Sequence, residues 1–324
     1  MARDLDRMGT ALRAYLRGGE RLTRIVPLST GHSNETYLLE GIDRILRMPP
    51  SEEGLLPPYD MAKQHAVLAA VGGFDGGPPV PHVFELCVDP DVLGDPFFLM
   101  ERLAGEAFEY RVPDWLAEAP PEARDRMCAQ WIGAVAALHR MPAERMPAEA
   151  TTVREESVHW RSVARGAEGP KDLLDLLDDL VARPPRPSGP PTPVHGDPKH
   201  GNCLWQRERL LAFLDWEMAH VGEPLTDLGY LCSFYDQGEA ALANAGFELD
   251  GWWSRERVIA AWEEATGRTA IDLVRYEVLG MCKIAAIIQL GHHLFTTGRA
   301  TDRRFEAWGA VIPPFVAAAV QRAG

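Results

Sequence analysis

The spacing of apolar residues changes character about one third of the way along this chain, and that change restricts the fold more than any other feature. Before residue 103 the pattern is mixed. An amphipathic helix is predicted near Leu5–Arg17, then strands at Glu35–Glu40 and Arg44–Met48 joined by a turn at Gly41-Ile42-Asp43. Helical spacing follows over Asp60–Val71 and stops at Gly72-Gly73, after which Val83–Val88 and Pro96–Met100 read as strands again. From Asp114 onward the period is helical, with helices expected at Glu122–Arg140, Lys171–Ala182, Ser254–Thr266, Asp272–Leu294 and Asp302–Arg322. Thr269 and Asp272 have the spacing of a capping box at one of those starts. A chain of 324 residues is long enough for two unequal lobes. The expectation is therefore an α+β fold: a small sheet lobe over residues 1–103 and a mainly helical lobe over residues 104–324. The proline-rich run at residues 183–193 reads as a loop inside the second lobe, because short strands and polar motifs follow it instead of a new domain.

Those motifs carry the chemistry. Val194-His195-Gly196-Asp197-Pro198-Lys199-His200-Gly201-Asn202 is followed, after a short turn, by an apolar strand running into Asp215-Trp216-Glu217. An Asp, an Asn five residues later and a second Asp at a strand end are what phosphoryl transfer requires. One carboxylate accepts the proton of an attacking hydroxyl, while an amide oxygen and another carboxylate hold Mg²⁺ against the phosphates. A zinc site from His195, His200 and Cys203 fits no common ligand spacing, and Glu217-Met-Ala-His220 stands alone, so it reads as a solvated turn.

The paired segments resemble the catalytic loop and metal-binding segment of the aminoglycoside/choline phosphotransferase family, in the protein-kinase-like superfamily. The resemblance implies a kinase-like bilobal fold, with a small antiparallel sheet in the first lobe. It makes Asp197 the catalytic base, Lys199 a catalytic partner that meets the transferred phosphate, and Asn202 and Asp215 the metal ligands. Pro224-Leu-Thr-Asp227-Leu-Gly229 is similar to a family segment whose Asp is structural. Leu28-Ser-Thr-Gly31-His-Ser33-Asn34-Glu-Thr36 resembles a shortened phosphate loop, which would place Gly31, Ser33 and Asn34 on a nucleotide, although the same residues also describe a plain turn. Phe97–Gly105 resembles the interlobe hinge, where backbone groups near Glu101 and Leu103 would meet an adenine or guanine edge.

One departure stands out. The family's lysine on the strand after the phosphate loop is absent, since the four lysines lie at 63, 171, 199 and 283. Arg47 takes its place as the phosphate-gripping residue, and Gln64 aligns with the helix glutamate. The function implied is Mg²⁺-dependent transfer of the γ-phosphate of ATP or GTP to a small-molecule hydroxyl. The alternative prompted by Arg47 and Gln64 is a non-catalytic, kinase-fold binding protein. The Leu46-Arg47-Met48-Pro49-Pro50 context resembles the branch associated with acyl-CoA dehydrogenases, which would imply a hydroxyacyl acceptor in place of an aminoglycoside. Trp252, Trp253, Trp262 and Tyr276, at helical spacing, either line the acceptor pocket or belong to the core.

Composition narrows the partners. With 33 basic and 47 acidic residues the net charge is −14, and no basic stripe of a nucleic-acid reader is present. Five scattered cysteines, none in a C-x-x-C pair, point to a reducing cytoplasm. The charged N-terminus does not read as a signal peptide, and the apolar stretches at Ile284–Leu290 and Val311–Val320 are too short, or too interrupted by Pro313 and Pro314, for a membrane span. No membrane partner is expected.

Overall fold

The computed structural model describes residues 3–28, 33–237 and 246–324. Helix α1 (Leu5–Tyr15) is capped by the Asp4 carboxylate, which accepts from the Asp6 and Arg7 amides. Then come β1 (Arg24–Leu28), β2 (Glu35–Glu40), β3 (Arg44–Met48), α2 (Met61–Gly72), β4 (Val83–Cys87), a one-turn α3 (Pro90–Leu93) and β5 (Phe97–Glu101). The five strands form one antiparallel sheet in the order β1-β2-β3-β5-β4.

The pleat sorts side chains between two faces. Leu46 and Met48 point with Leu39, Phe97 and Leu99 toward Met8 and Leu12 of α1 and Leu16 just past its end, building a small core. The opposite face carries Arg47 and its cross-strand neighbour Phe98. Phe98 packs there with Met61, Val67, Leu68 and Val71 of α2 and joins the larger core of the second lobe. Arg47 is thus turned toward the space between the lobes by strand alternation alone.

Strand β1 has no counterpart among the expected elements. Pro27 removes a ladder donor and argues against a strand, but β1 lies at the sheet edge, where that loss is tolerated.

The second lobe contains the short α4 (Asp114–Ala117), then α5 (Pro121–Arg140), α6 (Val153–Gly166), α7 (Lys171–Ala182), β6 (Thr192–Val194), β7 (Cys203–Gln206), β8 (Arg209–Phe213), β9 (His220–Gly222), α8 (Leu225–Cys232), α9 (Arg255–Thr266), α10 (Leu273–Thr296) and α11 (Arg304–Ala323). Helix α6 was not expected, yet it carries the true capping box. The Thr152 hydroxyl accepts from the Glu155 amide, and the Glu155 carboxylate accepts from the Thr152 amide. Thr269 and Asp272 form no such box. Asp272 has a left-handed backbone, and its carboxylate instead accepts both arms of the Arg186 guanidinium at 2.9 Å.

That ion pair helps tie the proline-rich run down as a loop of this lobe. The Ser188 amide and hydroxyl both donate to Glu223, and Arg268 donates to the Pro190 carbonyl. Helix α10 extends well beyond Ile284–Leu290 and is long and apolar enough to cross a membrane by length and composition, but it packs as a mostly buried core helix against α6, α8 and α11. Trp252, Trp253, Trp262 and Tyr276 are likewise core residues. All five cysteines are unpaired and buried.

Candidate active site

Two two-stranded antiparallel sheets, β6/β9 and the β7/β8 hairpin that lies between them in sequence, deliver the polar residues to one place. The loop leaving β6 is clamped by Asp227 from the first turn of α8. Its buried carboxylate accepts from the His195 amide at 2.7 Å, the Gly196 amide at 2.9 Å and His139 Nε2 at 3.1 Å. Burial pushes this carboxyl up, but the hydrogen bonds from His139 and the His195 amide outweigh it and hold Asp227 at about 2. His139 Nδ1 in turn accepts from the Trp262 indole at 2.8 Å. Gly196 is required where it stands: its φ is +86°, and a Cβ would lie 2.6 Å from the Met218 carbonyl oxygen.

The clamp presents Asp197. Its amide donates to His195 Nδ1 at 3.1 Å, and His195 Nε2 donates to the Leu214 carbonyl at 2.9 Å, so the imidazole is neutral with its proton on Nε2. Burial keeps His195 below its ordinary value. Asn202 Nδ2 donates to the Asp197 carbonyl at 2.8 Å and to Asp197 Oδ2 at 2.9 Å. The Lys199 ammonium lies 3.4 Å from Oδ2 and 2.8 Å from Glu109 Oε1. Asp197 Oδ1, buried in a side chain only 14% exposed, has no hydrogen-bond partner. Burial would raise this carboxyl, but the Lys199 charge together with the nearby Tyr230 hydroxyl and the Asn202 amide outweighs it, so Asp197 stays ionised.

Asp215 lies two residues past the end of β8, in a left-handed conformation at φ +65°. The strand was expected to run into it. Arg47 spans the lobes to reach it: Nη2 donates to Asp215 Oδ1 at 2.5 Å, while Nε donates to Gln64 Oε1 of α2 at 3.0 Å. Arg47 and Gln64 therefore meet as the strand–helix pair, and the neutral Gln leaves the guanidinium free to compensate carboxylates across the cleft.

Glu217 corrects the sequence reading. It is no solvated turn residue: its side chain is 12% exposed, lies 3.8 Å from Arg47 and accepts from Asn34 Nδ2 at 2.5 Å. Burial and the Asp215 charge push its carboxyl up to about 8, with Arg47 pulling only partly back. Ser33 and Asn34 are buried beside it, and Asn34 Oδ1 is left without a partner. Gly31 lies outside the described residues.

The family model of the phosphotransferase enzyme family matches residues 24–264, from the first strand of the sheet through the His195–Asn202 loop to α9. The chain belongs to that family. Its members are small-molecule kinases acting on hydroxyl acceptors.

Relatives of this phosphotransferase include acyl-CoA dehydrogenase family member 10 of Mus musculus, 28% identical over 69% of the chain and 22% of the relative. Acyl-CoA dehydrogenase family member 11 of Homo sapiens is 24% identical over 96% of the chain and 42% of the relative. The chain thus spans less than half the length of these relatives, and the branch is the expected one. Among solved structures, a protein of Ralstonia eutropha provisionally described as an aminoglycoside phosphotransferase superposes with a TM-score of 0.76 at 22% identity, covering 97% of both chains. An aminoglycoside phosphotransferase in complex with GDP and kanamycin gives 0.62 at 16% identity over 98% of this chain and 97% of the other. Both show a shared kinase-like fold.

In the segment expected to form the hinge, two backbone groups are already engaged. The Glu101 amide donates to the His82 carbonyl at 2.7 Å and its carboxylate accepts from the His82 amide, so that N–H is unavailable to a base. Leu103 lies beyond the strand end, with its carbonyl taken by the Gly105 amide. Gly105 lets the chain pass close to β7, where a Cβ would lie 2.8 Å from the Leu204 side chain.

The donors near Asp197 suit a hard divalent cation. Asn202 and Asp215 offer an amide and a carboxylate oxygen, and Asp215 Oδ1 already attracts a cation, the Arg47 guanidinium. Among the described residues no three His, Cys, Asp or Glu side chains form a protein-only metal cage. Two protein ligands completed by phosphates and water are the usual arrangement for Mg²⁺. A zinc site is disfavoured, because both His195 ring nitrogens are engaged and burial keeps the Cys203 thiol protonated.

Proposed function

We propose that this phosphotransferase moves the γ-phosphoryl group of ATP or GTP to the hydroxyl of a hydroxyacyl compound. The observation that carries the chemistry is Asp197, an ionised carboxylate with one oxygen tied to Asn202 and Lys199 and the other unpartnered. In the reaction, the acceptor hydroxyl gives its proton to Asp197 Oδ1 while its oxygen bonds to the γ-phosphorus. The bond from that phosphorus to the β,γ-bridging oxygen breaks, and the nucleoside diphosphate leaves.

Lys199 holds Asp197 in place and offers its charge to the transferred phosphate. Ser33, Asn34 and Gly31 form the phosphate loop, Arg47 grips the polyphosphate, and the backbone between Glu101 and Leu103 meets the base through groups other than the engaged Glu101 amide and Leu103 carbonyl. Magnesium, held by Asn202 and Asp215, would supply charge neutralisation of the phosphates.

The acceptor class rests on the acyl-CoA dehydrogenase relatives, whose similarity in sequence exceeds that of the aminoglycoside-bound structures. The lobe boundary is placed between residues 103 and 104. A reducing cytoplasm suits five unpaired cysteines.

Calorimetric titration with ATP and with GTP, each with and without Mg²⁺, tests the donor half. Saturable binding that needs Mg²⁺ and disappears in Asp215→Ala is expected, and failure of both nucleotides to bind would overturn the reading. Hydroxyacyl-CoA and gentamicin assayed side by side then test the acceptor, with Asp197→Ala as the control.

Arg47 has its own expected signature. Arg47→Ala weakens nucleotide binding about tenfold, or about 1.4 kcal/mol, and Arg47→Lys recovers only part, because an ammonium cannot hold Gln64 and Asp215 with a planar fork. An unchanged Kd in Arg47→Ala would restrict Arg47 to bridging Gln64 and Asp215 across the lobes.

A further inference from the structure

Beneath the catalytic loop sits a lysine that none of this chemistry uses. Lys283 lies in the middle of α10 and is 4% exposed. Its ammonium donates to the Gly196 carbonyl, stands 3.6 Å from Glu156 Oε1, and has the rings of Trp160 and Tyr230 each 5.3 Å away. A buried ammonium carries a desolvation penalty that a single carboxylate only partly offsets. Its position against the loop explains what it does.

The Gly196 carbonyl and the Asp197 N–H belong to one peptide group. The carbonyl accepts from Lys283, and the N–H donates to His195 Nδ1 at 3.1 Å. Turning this peptide over would rotate ψ of Gly196 and φ of Asp197, and the glycine, at φ +86°, removes the side-chain hindrance on its own half. We propose that Lys283 is a positioning residue: its ammonium fixes the Gly196–Asp197 peptide and so aims the Asp197 carboxylate. The cation also polarises the peptide, strengthening the N–H as a donor to His195, which in turn donates to Leu214 beside Asp215. One side chain of α10 thereby links the two segments that carry the acidic residues.

The catalytic part of this inference rests on the reading of Asp197 as the base, whereas the hold on the loop does not. Two readouts separate them: hydrogen exchange over residues 194–202, and nucleotide turnover with water or an acceptor. The test compares wild type, Lys283→Met/Glu156→Gln and Lys283→Arg. The double variant removes lysine and carboxylate together, so no unpaired charge is left in the core. It is expected to exchange about tenfold faster in the loop, with α10 unchanged, because only a local hold is lost. Its kcat should fall about a hundredfold with the nucleotide KM within about twofold, the mark of misplacement and not of weakened binding. Lys283→Arg, which keeps a charged donor, should restore most of both.

Unchanged loop exchange in the double variant, or a looser loop with full kcat, overturns the proposal. Absence of turnover in wild type would sink the phosphotransfer reading, while the exchange data still decide whether Lys283 holds the loop. Should the double variant lose its cooperative melt, Lys283→Gln, which keeps a donor without a charge, is expected to show a smaller loosening of the same segment. No loosening there would equally overturn the proposal.

Discussion

Asp197→Asn is expected to lower kcat by about a thousandfold, in the range that loss of a general base gives, while the nucleotide KM changes by no more than about threefold. The amide keeps the shape of the carboxylate and can still accept from Asn202 through one oxygen. What it cannot do is take a proton at the position of Oδ1, the atom the structure leaves without a partner. Steady-state kinetics with either donor decides this, and retention of more than about a tenth of the activity would move the base elsewhere. The pH profile should agree. Lys199 holds Asp197 below its ordinary value, so the base is ionised throughout the neutral range, and the acid limb of kcat should begin only below the usual carboxylate range.

Asp227→Asn is expected to act on stability, by about 3 kcal/mol at pH 7, because a buried ionic group with three donors loses its charge. An amide offers one accepting oxygen where two were used, and its NH₂ group faces backbone donors. The effect should also depend on pH with a definite sign. Asp227 is held at about 2 in the fold against an ordinary 3.8. Its contribution is therefore fully present above about pH 4 and disappears as pH falls toward 2, a loss of about 2 kcal/mol. Urea denaturation of wild type and variant should show curves well separated at pH 7 that draw together below pH 4. A constant separation down to pH 2 would mean that packing, not charge, dominates at this position.

The parts of this molecule that sequence revealed are those where chemistry or periodicity fixes spacing locally. His195 to Asn202 must occupy one short loop, because base, amide and backbone have to meet within hydrogen-bond distance. The long helices repeat their apolar residues often enough to be read. Glu217 was missed for the opposite reason. Glu-x-x-His says nothing about burial, and what encloses Glu217 is Asn34 and Arg47, brought from the other lobe.

Asp272 misled in a related way. It has the residue type and spacing of a cap, but Arg186, 86 positions earlier, claims its carboxylate. The capping box at Thr152 and Glu155 obeys the same spacing rule and is satisfied within its own helix. Pro27 hid a strand whose edge position only the assembled sheet defines.

The five buried cysteines give the fold a built-in chemical clock. Burial keeps Cys128 up at about 12 and raises Cys203, Cys232 and Cys282 further, so at these four thiolate is scarce while the chain is closed. An alkylating reagent reaches these sulfurs through molecules that have opened. The rate at which label accumulates then counts opening events in the native population, with no probe added and no residue exchanged.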